Sequence, residues 1–147
     1  MAEERIVLSG VTYVLFTHEP ATFGDDSLVY DHVLDREIRL DFSDGTTKFV
    51  SWTNEPVVHC VGVKAESWFK PGDDVTVNVS GRDPWRHLIG HPIDLLWSDA
   101  DHQVLEVCAG ERSAFLCSRE GSSWCADAIT VSAGAPVLPS NPSLERP

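Results

Sequence analysis

Three side chains with acid–base or ligating chemistry fall in SDADH at 98–102: Asp99, Asp101 and His102. Carboxylates beside an imidazole can hold a metal or move a proton. The same residue types make Asx-turns where one strand hands over to the next, and the loop reading is favoured here. Other pairings are weaker. His87 and His91 are four apart, but Gly90 and Pro92 spoil a helix there, and no Glu follows His87 as a zinc-protease motif requires. Cys60 adjoins His59, yet neighbours in a strand face opposite sides of a sheet, so they do not serve as nucleophile and base. Asp25-Asp26, Asp31-His32 and Asp73-Asp74 read as solvated turns, because adjacent carboxylates on an extended chain point apart. No G-x-S-x-G, phosphate-cradling glycine loop or dinucleotide fingerprint is present.

No catalytic residue, metal ligand or cofactor is therefore assigned. The four cysteines, Cys60, Cys108, Cys117 and Cys125, lack metal-site spacing and read as small buried apolar groups or idle thiols in a reducing compartment. Binding chemistry has better material in five tryptophans, whose indoles stack on the apolar faces of sugar rings and also anchor cores and interfaces. Trp52 and Trp97 fall at strand ends and read as core or core-edge. Trp85, between Pro84 and Arg86, suits a plug closing one end of a sheet. Trp124, in GSSWC, is the one expected to be exposed. The candidate binding set is Trp124, Trp85, Arg86, Asp99, Asp101 and His102.

These residues must be positioned by strands. Residues 11–17 (VTYVLFT) are β-branched and aromatic, and Ile38, Leu40 and Phe42 alternate with Arg39 and Asp41. Ser43-Asp44-Gly45-Thr46 supplies a turn and KFVSW returns, which predicts a hairpin over 37–52. Further strands are expected at 57–63, 75–79, 93–97 and 128–132, with a second hairpin at 104–107 and 113–117. A short helical turn is expected after Pro84. Residues 18–36 read as a loop insertion.

The pattern is stated twice. Leu8-Ser9-Gly10 and Leu88-Ile89-Gly90 each open an apolar run; LDFSDG at 40–45 parallels LEVCAG at 105–110; FVSW and FLCS follow. Two related units, about 6–68 and 82–134, predict one all-β domain over 1–134, an antiparallel barrel or sandwich with at most short helices. Residues 135–147, rich in Pro and Ser, are expected to form an irregular tail.

At 147 residues the chain can bury a real core. Its formal net charge of −12 disfavours nucleic acid and anionic membranes, and would attract a basic protein partner. The N-terminus MAEERIVLSG carries two glutamates and reads as unprocessed, so a cytoplasmic location is expected.

The segment WRHLIGHPIDLLWSDADHQVLEVCAGERSAFLCSREG with ADAITVS resembles small uncharacterised bacterial proteins with a W-x-x-L-I-G strand–hairpin pattern, some near toxin–immunity loci. Trp85, Leu88, Ile89 and Gly90 carry the resemblance; Ala109 departs from it, since the pattern prefers an acid before the turn glycine. The resemblance implies a fold and no activity. The leading expectation is a non-catalytic protein-binding module, of immunity type. The alternatives are a small-ligand or carbohydrate binder, and a metal-dependent enzyme using the Asp99–His102 loop.

Overall fold

A computed structural model describes residues 5–17, 22–23, 32–34, 36–53, 60–70, 72, 74–97, 102–120, 123–124 and 129–133. In chain order the strands are β1 (Leu8–Phe16), β2 (Thr22–Phe23), β3 (His32–Leu34), β4 (Glu37–Phe42), β5 (Thr47–Thr53), β6 (Cys60–Lys64) and β7 (Asp74–Asn78). After a 3-10 turn at Trp85–His87 come β8 (Asp94–Trp97), β9 (Val104–Ala109), β10 (Arg112–Cys117), β11 (Arg119–Glu120), β12 (Ser123–Trp124) and β13 (Ile129–Ser132).

The fold is all-β. One sheet has the order β6-β5-β4-β1-β7 and the other β2-β3-β13-β10-β9-β8, with β11 and β12 as a separate ribbon. Every pairing is antiparallel. Neither large sheet closes on itself, so the architecture is a sandwich rather than a barrel. Its interior joins Val11, Tyr13, Ile38, Leu40 and Val50 of one sheet to Leu105, Val107, Leu116, Ile129 and Val131 of the other. The alternation in β4 is realised: Ile38 and Leu40 are fully buried while Arg39 and Asp41 are half-exposed.

Both hairpins owe their turns to glycine. Gly45 takes φ +86° at the end of the three-residue loop Ser43-Asp44-Gly45, closed by Phe42 and Thr46. The Asp44 carboxylate accepts bonds from the Thr46 hydroxyl (2.6 Å) and amide (3.0 Å), and these hold its pKa below the ordinary value. Gly110, at φ +62°, opens the two-residue turn between Ala109 and Arg112, as a II′ turn requires.

Strands β1, β4, β5 and β6 are successive neighbours, and so are β8, β9, β10 and β13. Within these runs Val50-Ser51 and Leu116-Cys117 are buried at matching places. The two Leu-x-Gly openings differ, however. Gly10 lies in β1 beside a register shift, whereas Gly90 turns the chain at φ +86°. They meet instead: the Leu8 carbonyl accepts from the Gly90 amide at 2.7 Å, and the Leu8 amide donates to the His91 carbonyl at 3.0 Å.

One expectation needs correction. The insertion at 18–36 is not simply a loop, because β2 and β3 within it extend the second sheet beyond β13. Short segments gain stability from an existing edge that their own composition does not advertise. The tail expected over 135–147 lies outside the described residues, as does Cys125.

Candidate functional site: an open groove along the β6 edge

Strand β6 ends one sheet and β8 ends the other. Between them lies a groove of about 630 Å³, lined by Lys48, Thr53, Val61, Gly62, Val63, Lys64, Trp68, Leu95, Trp97, His102 and Leu105. The pairing of β5 with β6 sets Lys48, Val61 and Val63 on the core-facing side and Thr53, Gly62 and Lys64 on the other. The groove therefore straddles the outer edge of β6. Both halves of the chain contribute.

On one side stands Trp68, held by four contacts. Its backbone amide donates to Glu37 Oε1 at 2.9 Å, and its indole Nε1 donates to the Phe49 carbonyl at 3.0 Å. Its ring lies against Gly62 so closely that a Cβ there would meet Cζ2 and Cη2 at 2.5 and 2.4 Å. Lys64 Nζ sits 4.1 Å from the ring centroid.

The anchor is Glu37, which is fully buried at 1% exposure. Its second oxygen accepts from the Ser67 hydroxyl at 2.6 Å and lies 3.9 Å from Arg36 Nε. Arg36 is itself buried, between the rings of Phe16 and Phe69 at 5.3 and 5.4 Å, with Asp74 3.6 Å away. Two charges are thus taken out of water to fix the turn that carries Trp68. That arrangement has a desolvation cost, and such costs are offset only where every partner is in place.

On the other side Trp97 and His102 stack with centroids 4.1 Å apart and planes 4° from parallel. His102 has φ +56°, a left-handed conformation that histidine tolerates better than branched residues. Its carbonyl accepts from the Val61 amide at 3.0 Å, tying this loop to the β6 edge. Both rings are half-buried.

Of the candidate residues read from the sequence, His102 lies in the groove, but as a stacked ring. Asp99 and Asp101 lie outside the described residues, so the proton-transfer cluster expected with them has no described geometry. Trp124 is described only as part of β12. Trp85 is fully buried, and its Nε1 donates to the Tyr13 hydroxyl at 2.7 Å; it is a core residue with no face for a ligand. Arg86 is exposed and paired with Asp83, whose carboxylate also lies 3.2 Å from His87. Neither Trp85 nor Arg86 lines the groove.

Sequence reasoning missed Trp68, Gly62, Lys48, Lys64 and Glu37. The available signal was Gly62 inside an apolar strand, which marks close approach by another group. Among the described residues no three His, Cys, Asp or Glu side chains gather in a way that could hold a metal ion, and no helix is long and apolar enough to cross a membrane. Comparison with protein-family models, with curated proteins and with solved structures finds no match.

Proposed function

We propose that the protein is a non-catalytic binding protein that holds a small ring-bearing ligand in the groove beside β6. The observation that supports this reading is the convergence of three aromatic rings, Trp68, Trp97 and His102, from both halves of the chain on one open concavity. Its volume falls within the range of about 300–1,000 Å³ typical of small-molecule sites. Trp68 is pre-positioned by Glu37, Phe49, Gly62 and Lys64, and Trp97 by its stack on His102. A site ordered before binding loses less entropy when the ligand arrives. Stacking on an indole suits the flat face of an aromatic ring or the apolar face of a sugar.

The test is tryptophan fluorescence titration against a panel of monosaccharides and small aromatic acids and amides. Quenching by at least one class, abolished in Trp97→Ala, is the expected outcome. A flat response across the panel would overturn the reading.

A protein partner is the second reading, the immunity-type module. It is favoured by the net charge of −12 together with Val75 and Leu96, which are 46% and 50% exposed on the edge strands β7 and β8. Co-purification with a basic protein, weakened by salt and by Leu96→Lys, would support it. Binding indifferent to both changes would argue against it.

A further inference from the structure

Resting on the groove reading above, we infer that the ligand is a planar ring carrying a carboxylate, with Lys48 and Lys64 reading the charge. The chain has 23 acidic residues and three lysines. Two of those lysines line this groove, and no acidic residue is among its described lining. That local balance is opposite to the molecule's overall charge of −12. Outside the groove Arg36, Arg39 and Arg86 each lie beside a carboxylate. Among the described residues neither Lys48 nor Lys64 has an ion-pair partner, although Lys64 rests over the Trp68 ring.

Two acids on neighbouring strands, Glu37 and Glu106, already accept hydrogen bonds from other groups. Glu37 is occupied by Ser67 and Trp68, and Glu106 accepts from the Ser113 hydroxyl at 2.6 Å. The register sets Lys48 and Lys64 on opposite faces of the sheet, and both line the groove, so a ligand lying in it has a lysine on either flank. The rings supply the apolar platform. The lysines then select for a negative group, as point charges that need no fixed approach direction.

The matched probes are 2-naphthoate and 2-naphthamide, which share a ring system and differ in charge, titrated by tryptophan fluorescence. At low salt naphthoate is expected to bind about tenfold more tightly, the combined effect of two exposed charges. The gap should collapse at about 1 M salt, where the screening length falls to about 3 Å. In the double variant Lys48→Met, Lys64→Met the two probes should bind equally; the gap between them is the readout, because loss of Lys64 also loosens Trp68 and so weakens both. Lys70→Met, which removes a lysine outside the groove, should leave the gap intact and so control for net charge. Equal binding of the two probes, or a gap that survives in the double variant, overturns the charge selection while leaving ring binding standing. Absence of quenching by both probes overturns ring binding as well.

Discussion

Gly62→Ala adds a single methyl group to the site, and the structure specifies where it goes. The new carbon would lie 2.4 Å from Cη2 and 2.5 Å from Cζ2 of Trp68, and 3.1 Å from Thr53 Cγ2. Ordinary contact begins near 3.4 Å, so the indole must retreat by about 1 Å. Overpacking of this kind costs about 1–3 kcal/mol. Retreat also stretches the Nε1–Phe49 bond, worth about 1 kcal/mol, and loosens the Lys64 contact, worth about 0.5–1 kcal/mol. Against these stands a gain of about 0.5–1 kcal/mol for replacing glycine inside a strand. The net expectation is a loss of about 2 kcal/mol.

In a Trp68→Ala background the clash has no object. There Gly62→Ala should be neutral or stabilising by about 0.5 kcal/mol, since only Thr53 must yield. The sign of the change therefore depends on the residue six positions away. Urea denaturation followed by far-ultraviolet circular dichroism, in all four combinations, measures it without relying on the tryptophan signal. The same cost in both backgrounds would refute the seat of Trp68 on Gly62, and so would stabilisation by Gly62→Ala alone.

Glu37→Ala should cost about 3 kcal/mol in the same denaturation assay, because it leaves the buried Arg36 with only the part-exposed Asp74 beside it and frees the Trp68 amide. Glu37→Gln, which keeps an acceptor, should cost about 1 kcal/mol. For Asp44, carbon-detected NMR titration of Thr46→Val should show the carboxyl pKa rising toward its ordinary 3.8. Because the folded pKa is the lower one, the stability this group contributes is present above its unfolded pKa and is lost as pH falls through the folded value. Cys108 is shifted upward, by burial first and then by Glu106 and Asp94, so alkylation at neutral pH should be slow. Above its ordinary value of 9.0 the unfolded thiol ionises first, stability falls with rising pH, and Cys108→Ser should remove that contribution to the slope.

The sandwich was legible because its strands alternate and its turns carry glycine: β4, β5, β9 and β10 fall where the sequence predicts hairpins. The groove was legible only in part. His102 could be singled out by residue type, but its partner is the ring of Trp97, and stacking leaves no trace in spacing. Glu37 shares a strand face with Arg39 and Asp41, which a period of two assigns to water. Its end of that face is covered by the turn bearing Ser67 and Trp68, a tertiary fact with no local signature. Trp85 shows the converse. Proline and arginine on either side suggested a plug at one end of a sheet and a place in the binding set, whereas Tyr13 receives its indole proton in the interior.

The strand orders have a consequence for the chain's divisibility. Residues 32–34 of the first half complete the second half's sheet, while β7, on the approach to that half, flanks β1. Leu8 is bonded back to Gly90 and His91. Cleavage between Asn78 and Trp85 would leave an N-terminal fragment carrying a strand meant for its counterpart. The C-terminal fragment would lack that strand and its bonds to Leu8. Such pieces should be unfolded apart and recover structure on mixing, which makes this a protein to be reconstituted from complementary fragments rather than dissected into autonomous ones.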